Sequence, residues 1–125
     1  MAIEKFFAQI GPLRMETEAL RLSLTQIEKD MEFSRDDREL YSTYINLKAD
    51  VLSRLKRITE MKTEAEELIE RVENSLYRTL LRHRFINCKT AEEVAEIMGY
   101  DVRHIYRLQK KAIEAAKEAV VKKYF

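Results

Sequence analysis

Apolar residues recur at spacings of three and four through the first third of the chain. Ile3, Phe6, Ile10, Leu13, Thr17, Leu20, Leu24, Ile27 and Met31 form one such series, and only Thr17 in it is polar. Alternating steps of 3 and 4 put these side chains on one stripe of a helix, an a/d heptad seam. Gly11-Pro12 lies inside the series. Proline lacks the backbone N–H and its ring clashes with the preceding turn, which predicts a kink or break at residues 10–12. The apolar pattern lapses over 33–38, where Ser34 and Asp36 are candidate caps for a new helix. A second seam follows: Leu40, Tyr44, Leu47, Val51, Arg54, Ile58, Met61, Ala65, Leu68 and Val72, with Arg54 its one misfit. Tyr41, Ile45, Leu52 and Leu55 widen its apolar face. Two long helices joined by a short loop fold back antiparallel. A two-helix hairpin buries little by itself, so the widened stripe predicts packing on a second copy or on the C-terminal part.

The pattern changes after residue 73. Asn74 or Ser75 opens a segment with Leu76, Tyr77, Leu80, Leu81 and Phe85. Thr90-Ala91-Glu92-Glu93 reads as a capping box, and the helix it starts runs through Val94, Ala95, Ile97 and Met98 to Gly99, a natural left-handed terminator. Asp101 then caps a last helix carrying Val102, Ile105, Leu108, Ala112 and Ile113 along one side. A helix, a three-residue turn opened by glycine and a second helix make a helix-turn-helix signature. The fold expected is all-α: a long antiparallel coiled-coil hairpin over residues 1–73, for scaffolding or oligomerisation, then a three-helix DNA-binding domain over 74–125.

Composition supports that reading. With 2 Gly and 1 Pro among 125 residues, the chain lacks material for the many tight turns of a sandwich, barrel or doubly wound sheet. One Cys excludes an intramolecular disulfide framework and fits a reducing compartment. No apolar run approaches the ~20 residues that span a bilayer, and Glu4, Lys5 and Gln9 interrupt any signal-peptide core. A cytoplasmic protein without a membrane partner is expected.

The net charge of +1 conceals a division. Residues 1–73 carry 12 basic and 16 acidic side chains, net −4, while 74–125 carry 11 and 6, net +5. Such asymmetry points one half at a polyanion. Val94 with Ile97 or Met98 should pack on Ile105 and Leu108 of the last helix. The face left over is Arg103, His104, Tyr106, Arg107, Lys110 and Lys111, which has four positive charges and no acid. A recognition helix places its N-terminal turns in the major groove. There Arg pairs bidentately with guanine, and cations further along neutralise phosphates. Arg82, Arg84, Lys89 and Thr90 are expected beside the DNA backbone.

The run from Thr90 to Ile113 resembles region four of bacterial sigma factors, in the Thr-x-Glu-Glu start, the Val94-Ala95 pair, Met98-Gly99-Tyr100, and the Ile105, Leu108, Lys111 and Ala112-Ile113 positions. Leu76 to Ile86 resembles the helix leading into that motif, so the resemblance covers about residues 74 to 116. It implies base contacts from Val102, Arg103, Tyr106 and Arg107, with His104 on the flank. Asp101 stands where the family has Ser or Thr, and Val102 where it often has Arg or a small polar residue. The chain as a whole resembles small phage proteins with a helical N-terminal part and a sigma-like domain, among them the ArpU-like and RinA-like late-gene regulators. That resemblance implies a phage or prophage transcriptional regulator. Duplex DNA and a second copy of the chain are its expected partners, with RNA polymerase a further one.

Other chemistries find less support in the residues. His83 and Cys88 are two ligands five apart with no second pair, short of a four-coordinate zinc site. No phosphate loop or nucleophile elbow is present, and no acid pair has a spacing that sets it apart from ordinary helix-surface Glu. No metal, cofactor, small-molecule substrate or catalysis is therefore expected. Glu64, Glu66, Glu67, Glu70 and Glu73 read as a solvated face. Val120 to Phe125 is expected to pack on the hairpin or a partner. Two alternatives remain: a small terminase-like DNA-packaging subunit, and a coiled-coil protein docking on RNA polymerase.

Overall fold

Pro12 divides what the heptad pattern joins. In the computed structural model, which describes residues 2–124 and side chains for 2–122, α1 (Ile3–Ile10) stops before Gly11-Pro12 and α2 (Leu13–Phe33) starts after it. Then come α3 (Arg38–Glu70), α4 (Ser75–Leu81), a π-helical turn (Arg82–Ile86), α5 (Ala91–Met98) and α6 (Val102–Tyr124). The described residues are all-helical, without strands. Of the C-terminal tail, the side chains of Lys123, Tyr124 and Phe125 lie outside the described residues.

The helices cluster into two compact units, Leu13–Met61 and Met1–Pro12 with Lys62–Phe125. The boundary read from the sequence at 73/74 thus falls inside the second of these. Apolar matching explains the grouping. Ile3, Phe6, Phe7 and Ile10 of α1 are buried, and α1 packs on α6 and the π-helical turn. Phe7 stacks on Phe85, with ring centroids 5.3 Å apart.

In the smaller unit, α2 runs beside the first part of α3. Arg54 donates from Nε to Glu16 Oε1 at 2.6 Å and from Nη2 to Oε2 at 2.9 Å. Lys48 Nζ lies 3.7 Å from Glu28. Later residues of α2 meet earlier residues of α3, the order of an antiparallel pair. Thr17, the polar member of the first seam, is buried and donates its hydroxyl to the Leu13 carbonyl at 2.7 Å. Asp37 caps α3, accepting from the Leu40 amide at 3.0 Å, so the cap lies one residue beyond the Asp36 candidate.

The second seam is rotated from its expected phase in its first half. Tyr41, Tyr44, Lys48, Val51, Leu55 and Ile58 are the residues drawn inward, while Leu40 and Leu47 are exposed. The observed set keeps the 3/4 spacing. It uses the aliphatic stem of Lys48, which snorkels to Glu28. Arg54 lies outside this set, at its edge, where it can pair with Glu16.

The larger unit has its core on α6. Ile105, Leu108, Ala112, Ile113, Ala116 and Ala119 are buried, together with Leu80 and Leu81 of α4 and Ala91, Val94 and Ala95 of α5. The small residues Ala112, Ala116 and Ala119 permit close approach by the helices packed on α6. Burying each large aliphatic side chain here contributes about 1.5–3 kcal/mol. Asn74 caps α4 through the Leu76 and Tyr77 amides. The Arg78 guanidinium closes the turn after α3, donating to the Val72 and Glu73 carbonyls at 2.6 and 2.8 Å.

Candidate nucleic-acid interface

The segment from Lys89 to Lys111 is held by bonds its own sequence supplies. The Thr90 hydroxyl accepts from the Glu93 amide at 3.1 Å, and Glu93 Oε1 accepts from the Thr90 amide at 3.0 Å. The bond from the Thr90 backbone amide first, and the Thr90 side chain second, hold the Glu93 carboxyl below the ordinary carboxylate range, with a smaller contribution from the Lys89 charge. α5 ends on Gly99, whose left-handed backbone (φ 75°, ψ 30°) lets its amide and that of Tyr100 both reach the Ala95 carbonyl at 3.0 Å. Asp101 then caps α6, accepting from the His104 amide at 2.8 Å.

These caps fix which face of α6 turns outward. Ile105 and Leu108 are buried, as are Val94 and Ala95 of α5 against them. Arg103, Tyr106, Arg107, Lys110 and Lys111 are exposed. The i, i+3, i+4, i+7 relation of Arg103, Tyr106, Arg107 and Lys110 makes one stripe. From Arg103 to Lys111 it runs about 12 Å at ~1.5 Å per residue. Among the described residues, no ion pair engages its four cations. His104 is half-buried at the edge, its ring T-shaped against Tyr100 with centroids 4.7 Å apart.

The other candidates are placed differently. Thr90 is exposed, but its hydroxyl is occupied by the cap. Lys89 is half-buried just before it. Arg82 is ion-paired with Glu70 on α3. Arg84 donates from Nε to Gln109 Oε1 at 2.7 Å and from Nη1 to the Lys89 carbonyl at 2.8 Å. The six α6 residues therefore share one surface, whereas the two arginines of the π-helical turn spend donors on partners within the chain, Arg82 at the surface and Arg84 partly buried. Sequence reasoning passes over two participants. The Tyr100–His104 contact is an i, i+4 relation and is legible in principle. Gln109 meets Arg84 across 25 residues and carries no local signal. Among the described residues, no group of three or more His, Cys, Asp or Glu side chains could hold a metal ion, and no helix is long and apolar enough to cross a membrane.

Fold and surface together define an all-helical protein that displays a one-sign cationic stripe on its last helix. Residues 21–117 match the family model described as "Protein of unknown function (DUF1492)", and the chain belongs to that family. The match begins in α2 and ends in α6, so it takes in both the α2–α3 pair and the α4–α6 cluster. No curated protein and no solved structure matches the chain.

Proposed function

We propose that this chain binds duplex DNA without catalysing a reaction, using α5, the Gly99–Asp101 turn and α6 as a helix-turn-helix. In this reading α6 is the recognition helix, and the protein is a phage- or prophage-type transcriptional regulator whose C-terminal part is sigma-region-four-like. The observation that carries the proposal is the α6 stripe: four cations and a tyrosine, without an ion pair among the described residues, opposite a face whose buried residues are all apolar. A solvated helix ordinarily mixes charges of both signs. Arg103 and Arg107 occupy the turns that enter a major groove, and Lys110 and Lys111 lie where phosphates follow. Self-association belongs to the same reading. Ile45 and Leu52, one heptad apart on α3, remain nearly half exposed at 47% and 45%, and paired modules read half-sites about one helical turn apart.

A mobility-shift titration of the full chain at several salt concentrations tests the proposal. The probes are duplexes enriched by the protein from a random-sequence pool. Arg103→Ala with Arg107→Ala should abolish the preference for enriched duplexes. It should also reduce the slope of log K against log salt by up to about 2, at roughly 0.9 for each phosphate no longer neutralised. Unchanged preference and slope would remove α6 from the interface.

A further inference from the structure

Charge alone places Arg84 beside the DNA backbone, and the structure gives its guanidinium another occupation. The group is planar and presents five N–H donors in a rigid fork. Its Nε points to Gln109 Oε1 at 2.7 Å and its Nη1 to the Lys89 carbonyl at 2.8 Å. One rigid plane thereby joins three segments: the π-helical turn, the loop that opens α5 at Thr90, and the middle of α6. The π-helical turn itself is closed by the Asn87 amide on the Arg82 carbonyl and the Lys89 amide on the His83 carbonyl, both at 2.8 Å. The bridge therefore departs from a fixed base.

Gln109 sits two residues after Arg107 and one before Lys110, so whatever fixes its direction fixes theirs. Its side chain stands roughly 5 Å from the helix axis. A 20° rotation of α6 would carry that oxygen about 1.7 Å, far outside hydrogen-bond range. Binding constellations tolerate only about 0.5 Å or 10–20°. Both bonds run to neutral oxygens, so removing the bridge from the Gln109 side changes no charge.

We propose that Arg84 is a positioning residue of the α6 surface: its bridge between Gln109 and the Lys89 carbonyl sets the rotation of α6 against the start of α5. Arg84 thus governs which duplexes are preferred through geometry and is not itself a phosphate contact. The inference rests on the DNA-binding reading above.

The test uses the full-length protein, Arg84→Met and Gln109→Met singly and together. Each is assayed well below its own melting temperature on wild-type-enriched duplexes and on an unrelated duplex of equal length. Each single variant should lose about tenfold in preference, toward the lower end of what one bidentate base contact is worth. The salt slope should hold, and the double variant should be no worse than either single one, because all three break the same bridge. A uniform loss on both duplexes with a slope lower by about one would make Arg84 a phosphate contact. A loss confined to Arg84→Met, or a lowered melting temperature with the preference intact, also overturns the inference. Should the wild-type protein bind no duplex at all, the DNA reading fails separately. Hydrogen exchange on the free protein then decides the bridge. Both variants should speed exchange at residues 87–91 and 107–111 alike, and an effect from Arg84→Met alone would sink it.

Discussion

Gly99 is where the geometry between α5 and α6 can be tested with least ambiguity. Its φ of 75° lies in the left-handed region, and a Cβ built on it meets no atom within 4 Å. Gly99→Ala therefore isolates backbone strain from steric conflict. An L-residue in the left-handed region costs about 1–2 kcal/mol. Replacing Gly also narrows the unfolded ensemble, which returns about 0.4–1 kcal/mol. The net destabilisation expected is about 1 kcal/mol, a fall in melting temperature of roughly 3–5 °C for a chain of this size. The amides of Gly99 and Tyr100 keep their bonds to the Ala95 carbonyl as long as the left-handed turn persists. Asn tolerates the left-handed region, so Gly99→Asn should cost clearly less than Ala. A β-branched residue tolerates it poorly, so Gly99→Val should cost more. Thermal and urea unfolding of the three variants gives the ranking. Equal stability of Ala and Gly would refute the left-handed turn, and a loss beyond about 3 kcal/mol would refute the open space around it.

Two further expectations separate other causes of stability. At Gly11 the backbone is helical (φ −55°, ψ −53°), but an added Cβ would sit 2.8 Å from Cys88 Sγ. Gly11→Ala should therefore cost about 1 kcal/mol through overpacking, and be neutral or stabilising once Cys88→Gly removes the sulfur and relieves the Cys88 φ of 56°. A double-mutant cycle with no coupling would refute that contact. The depressed Glu93 carboxyl gives a pH test. Its stabilising effect is complete above the unfolded carboxyl value of about 4.3 and is lost as pH falls through the lower folded value. The gap in melting temperature between wild type and Glu93→Gln should close on acidification, and a gap that persists in strong acid would contradict the capping box.

What the residues disclose in advance follows the range of the interactions concerned. Thr90 with Glu93, Asp101 with the His104 amide, and Asn74 with Leu76 and Tyr77 all act within three residues. Helix starts and stops in the C-terminal half are legible for that reason. The inward face of α6 is legible too, because a 3.6-residue period repeats within each turn. Seam phase in α3 is less so. Leu40 and Leu47 differ from Tyr41 and Lys48 by one residue, and hydropathy favours the first pair. Lys48 turns inward because its stem can be covered while its charge meets Glu28. The grouping of α1 with the C-terminal helices depends on pairs such as Phe7 and Phe85, far apart in the chain and without any shared local pattern. Arg84 shows the same limit at the candidate site: its charge can be read, but not its bonds.

The basic surplus of the C-terminal half can now be located. Residues 103–111 carry four positive charges and no acid, while the remainder of 74–125 carries 7 basic and 6 acidic side chains, net +1. Nearly the whole +5 is thus the α6 stripe. Within it, Arg103–Arg107, Arg107–Lys110 and Arg107–Lys111 are like-charge neighbours at i, i+3 or i+4. Each such pair destabilises an isolated helix by about 0.2–0.5 kcal/mol, so the stripe costs the free protein roughly 1 kcal/mol. That cost opposes folding, and a polyanion converts it into attraction with release of counterions. Arg103→Ala with Arg107→Ala removes all three repulsions and adds a good helix former at two exposed positions. The doubly substituted protein should be no less stable than the wild type. Loss of DNA preference in that variant would consequently report the interface itself, because unfolding is the one explanation its energetics exclude.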